Sequence, residues 1–152
     1  MRPKLFLDST ALIAAVITKS ESSAIYRIIA LGEPNVLDMR ISREVIGDVE
    51  RFVRARNSAM LPLMAQAITR GNIATTSEPN KETVDYCETL KGYRPDARIL
   101  ATAVESAADI LVTHDKQHLL GNCKIKPPGI EVMVMTPQEC LEWCFERWAE
   151  NR

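Results

Sequence analysis

No stretch of this chain stays apolar for the ~20 residues that a bilayer span demands, and Asp8 interrupts the apolar start before a secretory core could form. A cytoplasmic protein with no membrane partner is expected. Glycine is scarce, at 6 of 152 residues, and its spacing gives neither a G-x-G-x-x-G turn nor a Walker-type loop. The backbone cradles that usually hold nucleotide phosphates are therefore excluded. Histidine is scarcer still: His114 and His118 are the only two, and both flank Asp115. The four cysteines, Cys87, Cys123, Cys140 and Cys144, lack paired C-x-x-C spacing. Reduced, mostly buried thiols are expected in preference to a structural zinc site. Neither sign of charge is in excess, since the net charge is -1. No basic field advertises a nucleic-acid partner, so one would have to be held locally.

What is present is an ordinary globular composition, 46% hydrophobic and 26% charged. A chain of this length is expected to form one domain over residues 1–152 and to bury about 70% of its unfolded surface. Residues 4–7 (KLFL) read as a short apolar strand that runs straight into Asp8, Ser9 and Thr10, with a helix over 11–17. Residues 21–31 have helical spacing and a stop at Gly32. A second strand over 36–41 (VLDMRI) leads to Ser42, a helix cap, and a long helix with Val45, Ile46, Val49, Phe52 and Val53 apolar. Another helix is expected over 59–70, closed by Gly71. The stretch GNIATTSEPN reads as a polar loop, and Asn80 is placed to cap a helix through Leu90.

The most informative stretch is 94–119. Pro95 and Asp96 open a helix whose apolar positions, Ile99, Leu100, Ala103, Val104 and Ala107, share one face. Residues 110–113 (ILVT) then form a strand buried on both faces, ending at His114 and Asp115. Beyond the breakers Gly121, Pro127, Pro128 and Gly129, a last strand covers 130–135, and Thr136, Pro137 and Glu139 match a capping box for the final helix. Strands alternate with helices throughout, the pattern of an α/β fold with a parallel sheet.

Acids recur at the element ends. Asp8 and Asp115 each close a strand, and ligands of open parallel sheets collect beyond the carboxyl ends of strands. Taken alone, Asp8 is as well read as a helix cap. Glu44 and Asp48 share a face of the helix after Ser42, and taken alone they read as solvated charge beside Arg43, Arg51 and Arg54. Two carboxylates ~4 Å apart repel by about 4 kcal/mol at an effective dielectric of 20, so a gathered set must take up cations or protons.

The order FLDSTALI, ISREVIGDVERF and DARILATAVESAADILVTHD resembles the PIN-domain nucleases over nearly the whole chain. The resemblance implies a three-layer α/β/α sandwich around a parallel sheet of four or five strands, in the order 3-2-1-4-5. It implies a catalytic set of Asp8, Asp48, Asp96 and Asp115, with Asp8, Asp96 and Asp115 on a metal. The second acid of the family is usually a Glu six residues after a Ser. Here that position holds Asp48, and Glu44, one turn earlier, is the alternative. Oxygen ligands without clustered Cys or His select Mg²⁺ or Mn²⁺. Ser9 and Thr113 are expected to orient carboxylates, and Arg43, Arg51, Arg98 and Lys116 to grip substrate phosphates.

The implied activity is endonucleolytic hydrolysis of single-stranded RNA. Similar small proteins are often toxins of toxin–antitoxin pairs, so an antitoxin protein and a homodimer are expected partners. Two other readings are open: a non-catalytic PIN-like module that binds RNA or protein, and a Mg²⁺-dependent phosphohydrolase or receiver-like domain.

Overall fold

The computed structural model describes residues 2–18, 20–91, 94–115, 124–125 and 132–151, with the backbone alone at 90, 91, 94, 95, 124 and 125. Lys116, His118, Cys123, the Gly and Pro breakers of 121–129 and the first two residues of the strand expected at 130–135 lie outside the described residues. Strand β1 (Lys4–Leu7) is followed by helices α1 (Ser9–Ile17) and α2 (Ala24–Gly32), then β2 (Asp38–Ile41) and α3 (Arg43–Asn57). A 3-10 turn (Ser58–Met60) leads into α4 (Leu61–Arg70), β3 (Ala74–Thr75), α5 (Lys81–Lys91) and α6 (Arg94–Glu105). Strands β4 (Ile110–Val112), β5 (Lys124–Ile125) and β6 (Val132–Met135) and helix α7 (Pro137–Glu150) complete the order.

Five of the strands run parallel in the spatial order β3-β2-β1-β4-β6, which is 3-2-1-4-5 when the parallel strands are counted along the chain. The sixth, β5, adds antiparallel to the outer edge of β6. The centre of the sheet is the driest part of the molecule. Leu5, Phe6 and Leu7 of β1 and Ile110, Leu111 and Val112 of β4 are fully buried, as strands covered on both faces must be. Helices flank the sheet, with α6 and α7 packed on β4, and α1 packed on α2, α3 and α4.

Local chemistry explains most boundaries. Ser23, Ser42 and Thr136 cap α2, α3 and α7 through their side-chain oxygens, and the Thr136–Glu139 capping box is complete. The expected polar loop contains β3, whose two residues are both exposed and carry no apolar signal. Backbone pairing with Arg40 and Ile41 makes it a strand. Phe52, expected on the apolar face of α3, is 38% exposed, while Val45, Val49 and Val53 form the buried stripe.

Ala107, expected on the buried face of α6, is exposed and lies beyond the helix end. It has φ 57°, and the Ala107 and Ala108 amides donate to the carbonyls of Val104 and Ala103. This is a Schellman stop with alanine where glycine is usual. Ala107→Gly is therefore expected to stabilise the fold by about 0.5–1 kcal/mol, the relief of left-handed strain less the added freedom of the unfolded chain. Chemical denaturation measures it, and a lower midpoint would refute it.

Three described cysteines, Cys87, Cys140 and Cys144, are free and buried. Burial pushes the Cys87 thiol up to about 11, and a hydrogen bond from the Cys140 thiol to Cys144 together with burial pushes Cys140 up too. Cys87 and Cys140 are therefore poor nucleophiles, while the hydrogen bond from Cys140 lowers the Cys144 pKa.

Candidate functional site

Because β1 and β4 are neighbours in register, Leu7 opposite Val112, the residues that follow them emerge side by side. The Asp8 amide donates to the Val112 carbonyl at 3.1 Å, extending the pairing by one residue. Asp8 is 2% exposed. Its Oδ1 accepts from the Ala11 amide at 2.9 Å and from the Thr10 hydroxyl at 2.8 Å, and its Oδ2 accepts from the Thr113 hydroxyl. The first of these contacts makes Asp8 the N-cap of α1, so the capping role is real and coexists with the site.

All three donors are neutral. They hold the carboxylate in place without cancelling its charge, and among the described residues Asp8 forms no ion pair. Burial raises the Asp8 pKa above the usual carboxylate value, the three hydrogen bonds partly offset this, and the nearby charge of Asp115 raises it further. Asp8 and Asp115 thus share one electrostatic environment at the carboxyl end of the sheet.

Thr10 is a participant that the sequence did not single out. Its hydroxyl donates to Asp8 and accepts from the His114 amide at 2.9 Å, tying the loop after β4 to α1. The Asp115 amide donates to the Thr113 hydroxyl at 2.9 Å. Two threonines therefore link the ends of the two central strands. The available signal is the hydroxyl two residues after Asp8, beside a helix start.

Ser9, the first residue of α1, donates to Asp48 of α3 at 2.9 Å, which brings α3 to the residue next to Asp8. The same Asp48 pairs with Arg51 at 2.5 Å. Glu44 pairs instead with Arg98 of α6. Asp96 lies in the first turn of that helix. A cavity of 590 Å³ is lined by Arg43, Glu44, Gly47, Asp48, Arg51 and Arg98, among others, so three of the four expected substrate-binding cations surround one space. Among the described residues no three His, Cys, Asp or Glu side chains form a ready-made metal cage.

Gly47 has a visible purpose in this cavity. A Cβ there would stand 3.3 Å from the Arg51 guanidinium, which lies across the bare helix surface. Gly47→Ala is expected to raise the melting temperature, because alanine favours a helix interior by about 1 kcal/mol and the arginine tip can move aside. A fall in melting temperature would show that the guanidinium cannot be displaced.

The comparisons with known proteins agree with this architecture. A family model described as PIN domain matches residues 4–117. The structure is similar to the crystal structure of PAE2754 from Pyrobaculum aerophilum, with a TM-score of 0.65 and 17% identity over 93% of this chain and 95% of that one. It is also similar to VapBC2 from Rickettsia felis, bound in its crystal structure to a DNA fragment from their promoter, with a TM-score of 0.65 and 17% identity over 86% of this chain and 98% of that one. At that identity the two likenesses show a shared fold. No curated protein matches the chain.

Proposed function

Because the chain belongs to the PIN domain family, whose members are generally metal-dependent nucleases, we propose that it is a divalent-metal-dependent endoribonuclease acting on single-stranded RNA. The observation that carries the reading is the state of Asp8. It is a buried carboxylate held by three neutral donors, with the charge of Asp115 nearby and, among the described residues, no ion pair. Such an arrangement takes up either a proton or a cation, and a bound divalent ion would supply the positive charge at neutral pH. Hard oxygen donors suit Mg²⁺ or Mn²⁺, and Mg²⁺ needs only one or two carboxylates because it keeps most of its waters. The lack of a preformed cage among the described residues fits that sparse mode of binding.

Asp8 and Asp115, with Asp96 directly or through water, would hold the ion. A bound divalent ion supplies a Lewis acid and a water of lowered pKa beside the scissile phosphorus. The protein's own residues do the positioning. Thr10, Thr113 and the Ala11 amide fix Asp8, while Ser9 fixes Asp48, which takes a water-mediated or base role. Arg43 and Arg51 offer phosphate contacts to a short single strand, while Arg98 borders the same cavity paired with Glu44. The products are a 5′-phosphate and a 3′-hydroxyl.

The same reading includes one domain over residues 1–152, a homodimer, and a toxin's role with a small antitoxin as the silencing partner. The fold shared with VapBC2 is in keeping with it. No helix among the described residues is long and apolar enough to cross a membrane. The test is cleavage of a single-stranded RNA oligonucleotide by protein stripped of metal and resupplied with Mg²⁺ or Mn²⁺. Cleavage that depends on the added metal and spares duplex RNA and p-nitrophenyl phosphate supports the reading. Hydrolysis of p-nitrophenyl phosphate alone would favour the phosphohydrolase, and no hydrolysis of either would favour the binding module.

A further inference from the structure

We propose that the Glu44–Arg98 ion pair is a clasp that sets the distance between α3 and α6, making both residues positioning residues. Its functional consequence rests on the nuclease reading above; its structural content does not. Helix α3 is fastened to α1 and α4, and α6 to α5 and β4. Between α3 and α6 lies the 590 Å³ cavity. Across this gap the Arg98 Nε donates to Glu44 Oε1, a side-chain bridge joining residues 54 positions apart in the chain.

The placement of the two partners gives the clasp its leverage. Glu44 sits one helical turn before Asp48, and Arg98 sits two residues after Asp96 in the first turn of α6. The bridge therefore ties together the two short segments that carry the outlying acids. Asp8 and Asp115 need no such device, because the paired strands β1 and β4 fix them through the sheet. Asp48 and Asp96 stand on helices whose separation the sheet determines less directly. Asp48 is further anchored by Ser9, whereas the α6 side of the cleft meets α3 through Arg98. The assignment also gives Glu44 a role that does not compete with Asp48: it holds the neighbouring helix instead of a metal.

The pair is partly exposed, with side chains 34% and 41% accessible, so its loss should scarcely affect global stability. Catalysis is far more sensitive to geometry, since a misplacement of about 1 Å can cost 100-fold in rate. A positioning role thus predicts a small thermal effect beside a large kinetic one.

The experiment compares the full chain as wild type, Glu44→Gln, and the exchanged pair Glu44→Arg with Arg98→Glu. In metal-free protein, hydrogen exchange at the amides of residues 98–101 is expected to quicken about three- to fivefold in Glu44→Gln and to return towards wild type in the exchanged pair. The Mn²⁺ midpoint for thermal stabilisation should rise at least about threefold in Glu44→Gln, and kcat on single-stranded RNA should fall about tenfold with KM within about twofold. Unchanged hydrogen exchange overturns the clasp. So does a lower KM with an unmoved Mn²⁺ midpoint, because freeing Arg98 would then have improved a phosphate grip. If wild type neither responds to Mn²⁺ nor cuts RNA while the exchange rates change as described, the nuclease reading fails and the clasp stands as a feature of the fold.

Discussion

Asp8→Asn is expected to abolish RNA cleavage while making the metal-free protein more stable. Both effects follow from one property of the native residue: it is buried and anionic, and its donors are neutral. Asparagine keeps an oxygen for the Ala11 amide and the Thr10 hydroxyl, and its amide nitrogen can donate to the Thr113 hydroxyl, so the cap on α1 survives. What disappears is the charge. Without it the ion loses its innermost ligand, and a drop of at least about 100-fold in rate is expected, because even residues one layer farther from a metal commonly cost 10–100-fold.

The stability effect has a definite pH window. Burial raises the Asp8 pKa above that of the unfolded chain, so between the usual carboxylate value near ~3.9 and the raised native value the folded state binds more protons. Stability from this group is complete below the window and is lost as pH rises through the native pKa. Asp38 titrates in the opposite sense. The hydrogen bond from Arg40 lowers its pKa, so its contribution is present above the usual carboxylate value and lost as pH falls. Melting temperatures of metal-free Asp8→Asn should therefore exceed wild type at neutral pH and converge with it in acid, where Asp38 governs both proteins. A lower melting temperature for Asp8→Asn at neutral pH would mean that the charge is already compensated.

Gly32→Ala is expected to be the most damaging change of a single methyl group in the fold. The ends of α2 and α4 meet here: a Cβ on Gly32 would stand 2.1 Å from the Gly71 carbonyl oxygen and 2.4 Å from Met39 Cε. The Met39 tip can swing away, but the Gly71 backbone cannot. It is held by the stop of α4, in which the Asn72 and Ile73 amides donate to Thr69 and Ile68, and by the Asn72 side chain, which donates to the Gly32 carbonyl at 2.9 Å. A methyl group would have to prise this junction apart. The cost should reach about 3 kcal/mol, a fall in melting temperature of roughly 10 °C for a chain of this size. Gly71→Ala should cost less, because its Cβ meets its neighbours at 3.0–3.3 Å. A Gly32→Ala protein that melts with wild type would show that the two helix ends are free to separate.

Gly71 also shows where sequence reading stops. It was expected as a helix terminator, and α4 does end there. Yet Gly71 itself has an ordinary right-handed backbone, with φ -78°, and Asn72 takes the left-handed position at φ 50°. A Cβ on Gly71 would meet Ile73 Cγ1 at 3.0 Å and Met39 Cε at 3.1 Å, and Gly32 of α2 packs against its carbonyl, approaches that no local pattern encodes. The central strands could be read because burial on both faces leaves an unbroken apolar run, and the charge that ends each run marks the carboxyl edge of the sheet. β3 could not, because two exposed residues held by backbone pairing carry no side-chain signal. Ala107 fitted the helical period of α6, but periodicity does not reveal that the chain has already turned into its stop.

At the candidate site, the resemblance puts Asp48 at the second acid's position and leaves Glu44 as the alternative, since helical spacing alone does not choose between neighbours one turn apart. The structure sends them to different partners. Asp48 turns to Ser9, beside Asp8, and Glu44 turns across the cleft to Arg98. The arginines expected to hold phosphate could be named from the sequence. That Arg43, Arg51 and Arg98 border a single cavity could not, because it depends on the separation of two helices, α3 and α6, that are far apart in the chain.

The claim on which the account turns is that acids from distant parts of the chain create one place for a divalent cation. Titration of metal-free protein with Mn²⁺, followed by loss of the free-ion electron paramagnetic resonance signal, measures this without reference to RNA. Saturable binding by wild type is expected, weakened by at least about tenfold in both Asp8→Asn and Asp115→Asn. Binding that is absent from wild type, or that both variants retain at full strength, would contradict it.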